Sequence, residues 1–301
     1  MSKFNEVVLR FENRFKENPY TITYGFGRTL LALSTLSVFL FNDISILYNE
    51  QALDVISNSD LFVNKINFFG IFGYSNLLIA QLISIFIFLL VISGYLPQIT
   101  GILHFWVCFS FNNSAILLDG GEQVASIFTL LILPICILDN RLNHWEKSVN
   151  QNIISKVFGH FIFAVISIQA SYLYLNTAIE KLYRLPEWKE GTALYYVFNN
   201  PMFGVPDFVQ NSLSFLTHSK FVLILTWSVI LSHLFLSYVL LLKRKNKKYA
   251  IYAGFFLHGG IALFMGLYSF SLAMFGVLVL YLLPFDYFKK CKFYEKLSRK
   301  N

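Results

Sequence analysis

Several stretches of this 301-residue chain run as long as roughly 18 residues with almost no charge, which is the length a helix needs to cross a bilayer. Inside lipid there is no water to bond the backbone, so each such segment must satisfy its own amide groups, and a helix does this within one segment. The fold class that follows is all-α and integral to a membrane. Composition agrees: 14% of residues are charged and 56% hydrophobic, against about 25% charged in an average soluble protein.

The apolar windows fall at residues 24–41, 77–95, 101–118, 124–138, 157–182 and 221–242. A last window, 249–283, would be about 50 Å long as one helix, against about 30 Å of hydrocarbon. It is therefore expected to break near residues 266–269, giving a polytopic bundle of about eight transmembrane helices.

The chain carries 24 Lys and Arg against 17 Asp and Glu. An excess of this kind suggests nucleic acid in a soluble domain, but in a membrane protein it reports sidedness, because basic residues favour cytoplasmic loops. With eight spans and a cytoplasmic N-terminus, 18 of the 24 fall inside, in the first 23 residues, at 139–156, at 243–248 and after residue 283. Both termini are then cytoplasmic, the protein is multipass, and no nucleic acid partner is needed. Phe4, Val7, Val8, Phe11 and Phe15 recur at helical spacing among basic residues, which suits a short helix on the inner membrane surface or an unstructured lead-in. No linker or repeat divides the chain, so residues 1–301 are expected to form one transmembrane domain.

An ionisable group inside a span costs about 2.5 to 3.5 kcal/mol on insertion scales, so each one needs a partner or a purpose. In the fifth span Gln169, Tyr172, Asn176 and Glu180 recur at spacings of three and four, which predicts a polar face ending at Lys181 near the outer interface. The third span ends in Asn112 and Asn113. The turn that follows, Asp119-Gly120-Gly121-Glu122, carries two acids, either for proton handling or with Asp119 as a helix cap. His258 falls within the seventh span beside Gly259 and Gly260, and His233 within the sixth. Arg28, inside the first span, holds its proton and is expected to anchor a carboxylate, backbone carbonyls or lipid phosphate. The signatures of zinc peptidases, serine hydrolases and P-loops are absent, and Cys108, Cys136 and Cys291 are too scattered for a disulfide framework, so no metal or thiol chemistry is expected.

The run from Thr100-Gly101-Ile102-Leu103-His104-Phe105 through Leu118-Asp119-Gly120-Gly121-Glu122-Gln123 to Leu138-Asp139-Asn140-Arg141-Leu142-Asn143-His144-Trp145 closely resembles the sporulation-delaying protein B family. The likeness continues in Tyr174-Leu175-Asn176, Glu180, Trp188, Glu190-Gly191-Thr192-Ala193, Pro201 and Pro206. It implies a bacterial plasma-membrane protein that, with a small accessory protein encoded beside it, turns an exported precursor into a secreted antimicrobial peptide toxin. More distantly, Arg28, the segment Lys181-Leu182 with Trp188 and Gly191, and His258 with Gly266 and Phe270 look like the HTTM membrane domain shared by vitamin K-dependent gamma-carboxylase and its bacterial relatives. That resemblance implies Lys181 as the base that deprotonates a reduced quinone. The chain is too short for the carboxylase's large extracytoplasmic domain, so gamma-carboxylation itself is not implied.

Taken together, the residues and the resemblance predict a toxin-maturation factor working at the extracytoplasmic side. Lys181 is the expected general base, since a lysine drawn out of water releases its proton more readily, and Asp119, Glu122 and His258 assist. Asn112, Asn113, Asn176, Glu180, Trp188 and Arg28 are expected to bind substrate. The expected partners are the toxin precursor, the accessory protein and membrane lipid. Two rival readings are a non-enzymatic chaperone or export scaffold for the precursor and a toxin-immunity protein.

Overall fold

The apolar runs fold as helices. A computed structural model describes residues 15, 17–147, 151–200, 204–242 and 247–290. The first long helix is α1 (Ile22–Phe41), followed by four short ones, α2 (Ile44–Leu47), α3 (Glu50–Ser57), α4 (Phe62–Lys65) and α5 (Phe68–Phe72). Next come α6 (Leu77–Ser93), α7 (Pro97–Ser114), α8 (Gly121–Leu138) and α9 (Ile153–Arg184). Three short helices, α10 (Pro186–Glu190), α11 (Ala193–Phe198) and α12 (Asp207–Thr217), precede α13 (Phe221–Tyr238), α14 (Lys247–Met265) and α15 (Tyr268–Leu282). Among the described residues there is no strand, only one isolated antiparallel bridge between Tyr95 and Asn143.

Five of these helical stretches are long and apolar enough to cross a membrane: Ile22–Phe41, Tyr74–Ser93, Gly121–Leu138, Ile153–Arg184 and Phe221–Leu241. Their outward faces carry bare large apolar side chains such as Phe41, Ile154, Phe161 and Leu241. Lipid, not water, is the solvent such a surface fits, and the protein is a helical membrane protein. The long window at 249–283 is interrupted: α14 ends at Met265, Gly266 takes φ +69°, and α15 starts at Tyr268. Glycine accepts that left-handed conformation without a Cβ clash, and so ends the helix there. The surface helix expected over the first residues lies outside the described part of the chain, Phe15 excepted.

α1 and α15 make the centre. A Cβ on Gly27 would lie 2.7 Å from the Leu280 side chain, and one on Gly276 3.0 Å from the Gly27 carbonyl oxygen. Small residues thus let two backbones approach closely, the usual way helices gain contact where lipid gives no hydrophobic drive. Around this pair, one apolar cluster joins α1, α8, α9, α13 and α15 through residues such as Tyr24, Phe128, Ile166, Tyr174 and Val277. A second joins α1 to α6, α7 and the short helices through Phe39, Phe69, Phe88 and Phe111.

Hydrogen bonds show which helix ends meet. At one end, Thr23 donates to the Phe285 carbonyl (3.0 Å), Tyr20 to that of Ser155 (3.1 Å), and Tyr281 to that of Leu236 (3.2 Å). This is the basic end, with Lys147, Lys156, Lys247 and Lys248 near it. At the opposite end, Ser34 donates to the Ser269 carbonyl (2.8 Å), and the Leu194 amide to Thr226 (3.3 Å). With 32 residues, α9 reaches about 48 Å and carries Lys181 and Arg184 to that opposite end.

Candidate functional site

Lys181 sits in the last turn of α9, its Nζ 4.5 Å from the centre of the Trp188 ring. The sequence sets Trp188 there. Pro186 opens α10, and Gly191 closes it at φ +77° so tightly that a Cβ would lie 2.8 Å from the Leu223 side chain on α13. Glu180 pairs with Arg184 instead (3.3 Å), and its side chain is 44% exposed. Lys181 therefore has an aromatic face as its neighbour and, among the described residues, no carboxylate ion pair.

Below Lys181 lies a line of rings. His233, on α13, donates from Nδ1 to the Val229 carbonyl (2.7 Å). The Tyr174 ring meets it edge-on at 5.9 Å, and Tyr174 Oη lies 3.0 Å from His258 Nε2. Tyr174 and His258 are both buried, and His258 Nδ1 is a buried polar atom with no hydrogen-bond partner among the described residues. The Ser271 hydroxyl donates to the His258 carbonyl (2.9 Å) and ties this turn of α14 to α15. Sequence reasoning gave roles to Lys181 and His258 but none to Tyr174, whose hydroxyl meets His258.

The face expected on α9 is turned further outward than its periodicity implied. Ile162, Ile166, Ala170, Tyr174 and Ala178 face the bundle, whereas Gln169 and Asn176 are half-buried at its edge and Tyr172 is exposed. Asn112 is half-buried, and Asn113 is exposed with its amide bonded to the Phe109 carbonyl of its own helix (2.7 Å).

The acidic turn forms the start of α8. Asp119 Oδ1 accepts from the Gly121 amide (2.8 Å), and Glu122 Oε2 accepts from the Asp119 amide (3.1 Å), so the two acids brace the turn while Gly120, at φ +95°, stands at the N-cap. Asp119 does more than brace the turn. Its second oxygen accepts from the Ser269 hydroxyl, and it lines a cavity of about 250 Å³ with Val197, Asn200, Met265 and Leu267. Glu122 is buried. No hydrogen bond or ion pair links either acid to Lys181 among the described residues. Phe270 instead joins the acidic turn to His258: its backbone would lie 2.8 Å from a Cβ on Gly121, and its ring packs at 5.7 Å from that of His258.

Against known proteins, neither a family model nor a solved structure matches this chain. It is 38% identical to the sporulation-delaying protein SdpB of Bacillus subtilis (strain 168) over 269 residues, covering 89% of this chain and 83% of the relative. The chain belongs to the sporulation-delaying protein B family. It is also 33% identical to the protein YitO of the same organism over 289 residues, covering 95% of this chain and 92% of that one.

In this family member, Arg28 does not share the end of the bundle that holds Lys181. It lies fully buried at the basic end, donating from Nη1 to His144 Nδ1 (3.1 Å) and from Nη2 to Thr100 Oγ1 (2.7 Å). A guanidinium only donates, so His144 must accept at Nδ1 and is neutral there. Burial and the charges of Arg28 and Arg141 push the His144 pKa down to about 2. Beside it, Asp139 and Arg141 form an ion pair (2.7 Å) with both side chains 0% exposed. Tyr24 adds a donor to Asp139 (2.6 Å), and Arg141 donates to the His144 and Glu146 carbonyls (both 2.9 Å). Among the described residues neither a carboxylate nor a backbone carbonyl bonds Arg28: its bonds go to a histidine ring and a threonine hydroxyl. The segment Asp139 to Trp145, which carried the family resemblance, is a clasp that closes over the turn between α6 and α7.

Proposed function

We propose that this chain is a multipass protein of the bacterial plasma membrane that matures a secreted peptide toxin, acting on its precursor from the extracytoplasmic side with Lys181 as general base. The observation that carries this reading is the setting of Lys181: over Trp188, with no carboxylate ion pair among the described residues, at the end of the bundle away from the basic loops, and on the same helix as Tyr174, which meets His258. The relative's name, a sporulation-delaying protein, supports the toxin role. The precursor and a small accessory protein are the proposed partners.

The proposed topology has eight crossings, α1, α6, α7, α8, α9, α13, α14 and α15, with both termini in the cytoplasm. The meeting of helix ends described above supports it, since each successive long helix returns to the other end. α15 is only 15 residues, about 22 Å, and is sheltered by its neighbours on nearly all sides. A reporter active only in the cytoplasm, fused after Asn301, is expected to work. One active only outside the membrane should be silent, and the reverse pattern would overturn the topology.

Lys181 as neutral amine takes a proton at Nζ from a bound group, while Trp188 holds the resulting ammonium on its ring face. The reduced quinone implied by the carboxylase-like resemblance fits one feature of this site, the buried partnerless Nδ1 of His258, and when bound it would supply an acidic hydroxyl. Asp119, with one oxygen on Ser269 and a cavity beside it, is placed to pass a proton to the outside. A scaffold that only holds the precursor is the second reading, favoured by the same Lys181 and Trp188 stacking, which needs no chemistry.

The acidic turn tests the proposal. Asp119→Asn and Glu122→Gln keep size and most hydrogen bonds, so loss of capping costs at most about 1 kcal/mol. Proton handling by the turn predicts that at least one variant loses mature toxin, measured by mass spectrometry at equal membrane abundance. Full product from both would remove the acids from the mechanism and leave them as a cap.

A further inference from the structure

The acidic turn is sunk below the rim of the bundle at the Lys181 end. Thr35 of α1 meets Cys108 of α7 (3.6 Å), and each helix then runs on alike, to Phe41 and to Ser114, so the two end at one height. Ser34, just below Thr35, donates to the Ser269 carbonyl (2.8 Å), and the Ser269 hydroxyl donates to Asp119. Asp119 thus lies about 10 Å below the rim, counting 1.5 Å per helical residue along α1. Between Ser114 and Asp119 the chain leaves the helix, with Ala115 in extended backbone (φ −77°, ψ 147°). Drawn-out chain covers the drop in these few residues, at about 3.3 Å each.

This descending segment is bare in two ways. Ile116, Leu117 and Leu118 are 57%, 52% and 37% exposed. The Ile116 amide bonds to the Leu47 carbonyl (2.9 Å), but the amides of Leu117 and Leu118 and the carbonyls of Ile116, Leu117 and Leu118 have no hydrogen bond among the described residues. Lipid would cover the side chains and leave the amides unpaired, which hydrocarbon does not tolerate. Water would pair the amides and leave three large apolar side chains wet. An extended peptide with apolar side chains satisfies both, because its main chain brings donors and acceptors at matching spacing. The segment also leads somewhere: at its lower end Asp119 opens on the cavity of about 250 Å³ walled by Val197, Asn200, Met265 and Leu267.

We infer that residues 115–118 are a docking edge for an extended, mainly apolar peptide, which adds to them by main-chain hydrogen bonds and is led down to Asp119. The inference deepens the reading of this chain as acting on a peptide precursor, and rests on it for the identity of the guest.

The test uses the whole protein in lipid nanodiscs and a synthetic capped peptide of alternating valine and threonine with a lysine at each end for solubility. Hydrogen exchange at residues 115–119 is read by mass spectrometry. Without peptide the Leu117 and Leu118 amides are expected to exchange fast, and bound peptide should slow them at least about 10-fold, the worth of one hydrogen bond. The same peptide with N-methylated main-chain amides keeps the side chains but loses the donors, and should give no protection. Leu117→Pro removes an amide and should weaken binding at least about 10-fold, whereas Leu117→Ala keeps the amide and should cost less. Slow exchange without peptide, no slowing with it, equal protection by the N-methylated peptide, or undiminished binding by Leu117→Pro would overturn the inference. The N-methylated comparison uses the unaltered protein, so it decides even where Leu117→Pro fails to fold. None of these readouts needs catalysis. Protection together with a fully active Lys181→Arg would end the base assignment and keep the docking edge, and no protection together with an inactive Lys181→Arg would do the reverse.

Discussion

Lys181→Arg is expected to abolish toxin maturation, with product falling by about 100-fold or more, the usual worth of a positioned general base. The geometry makes this substitution a sharp test. Arginine keeps the positive charge and stacks on Trp188 at least as well as lysine does, so the 4.5 Å contact between cation and ring survives. It also keeps the chain length needed to reach the end of α9. What it cannot do is release its proton at working pH. A scaffold or immunity protein would tolerate the change, and so would a lysine that only anchors the helix end. Lys181→Met removes base and cation together and should fail under the proposed mechanism, whereas an immunity protein would keep its protection. Mass spectrometry of the secreted toxin at equal membrane abundance separates these outcomes. Full product from Lys181→Arg would end the base assignment and leave the binding scaffold as the better account.

Height in the membrane was legible from sequence, and azimuth was not. Counting 1.5 Å per residue along an apolar run places Lys181, Asp119 and Ser269 toward one end of the bundle and Arg28 toward the other. The break at Gly266 could be anticipated because 35 apolar residues exceed any bilayer. What such counting cannot supply is the rotation of each helix about its axis. The polar spacing on α9 pointed to Gln169, Tyr172 and Asn176, but the face that packs inward carries Tyr174, because Ile166, Ala170 and Ala178 share its side of the helix. Lys181 and the acidic turn share an end without touching, for the same reason. Long-range pairs were hidden as well. Tyr174 meets His258 across 84 positions, and Arg28 meets His144 across 116, and no local pattern encodes either. Arg141 shows how a correct rule can mislead at one residue. It was counted with the inner basic charges that fix sidedness, yet its side chain is buried against Asp139. The spacing Asp139-x-Arg141 beside a helix end was the one available signal.

Asp139→Ala is expected to unfold the basic end, at a cost of about 3 to 5 kcal/mol, because it leaves the Arg141 charge buried without a partner. Asp139 takes bonds from three groups of Arg141, its amide, Nε and Nη2, and from the Tyr24 hydroxyl. Arg28, also buried, stands close by with only neutral acceptors. Removing the one carboxylate therefore leaves two guanidinium groups in a site closed to water. Against a total stability of about 5 to 15 kcal/mol, most of the protein should be lost or should melt far earlier in detergent. The double variant Asp139→Leu with Arg141→Met removes both charges and restores apolar packing, and it should recover much of the melting temperature. Its activity then decides what the clasp is for. The clasp lies at the opposite end of the bundle from Lys181, so a folded double variant should still mature toxin. A double variant that melts normally but makes no product would mean that the buried pair takes part in the chemistry, and that the site extends across the whole membrane. A melting temperature unchanged in Asp139→Ala would refute the buried ion pair itself.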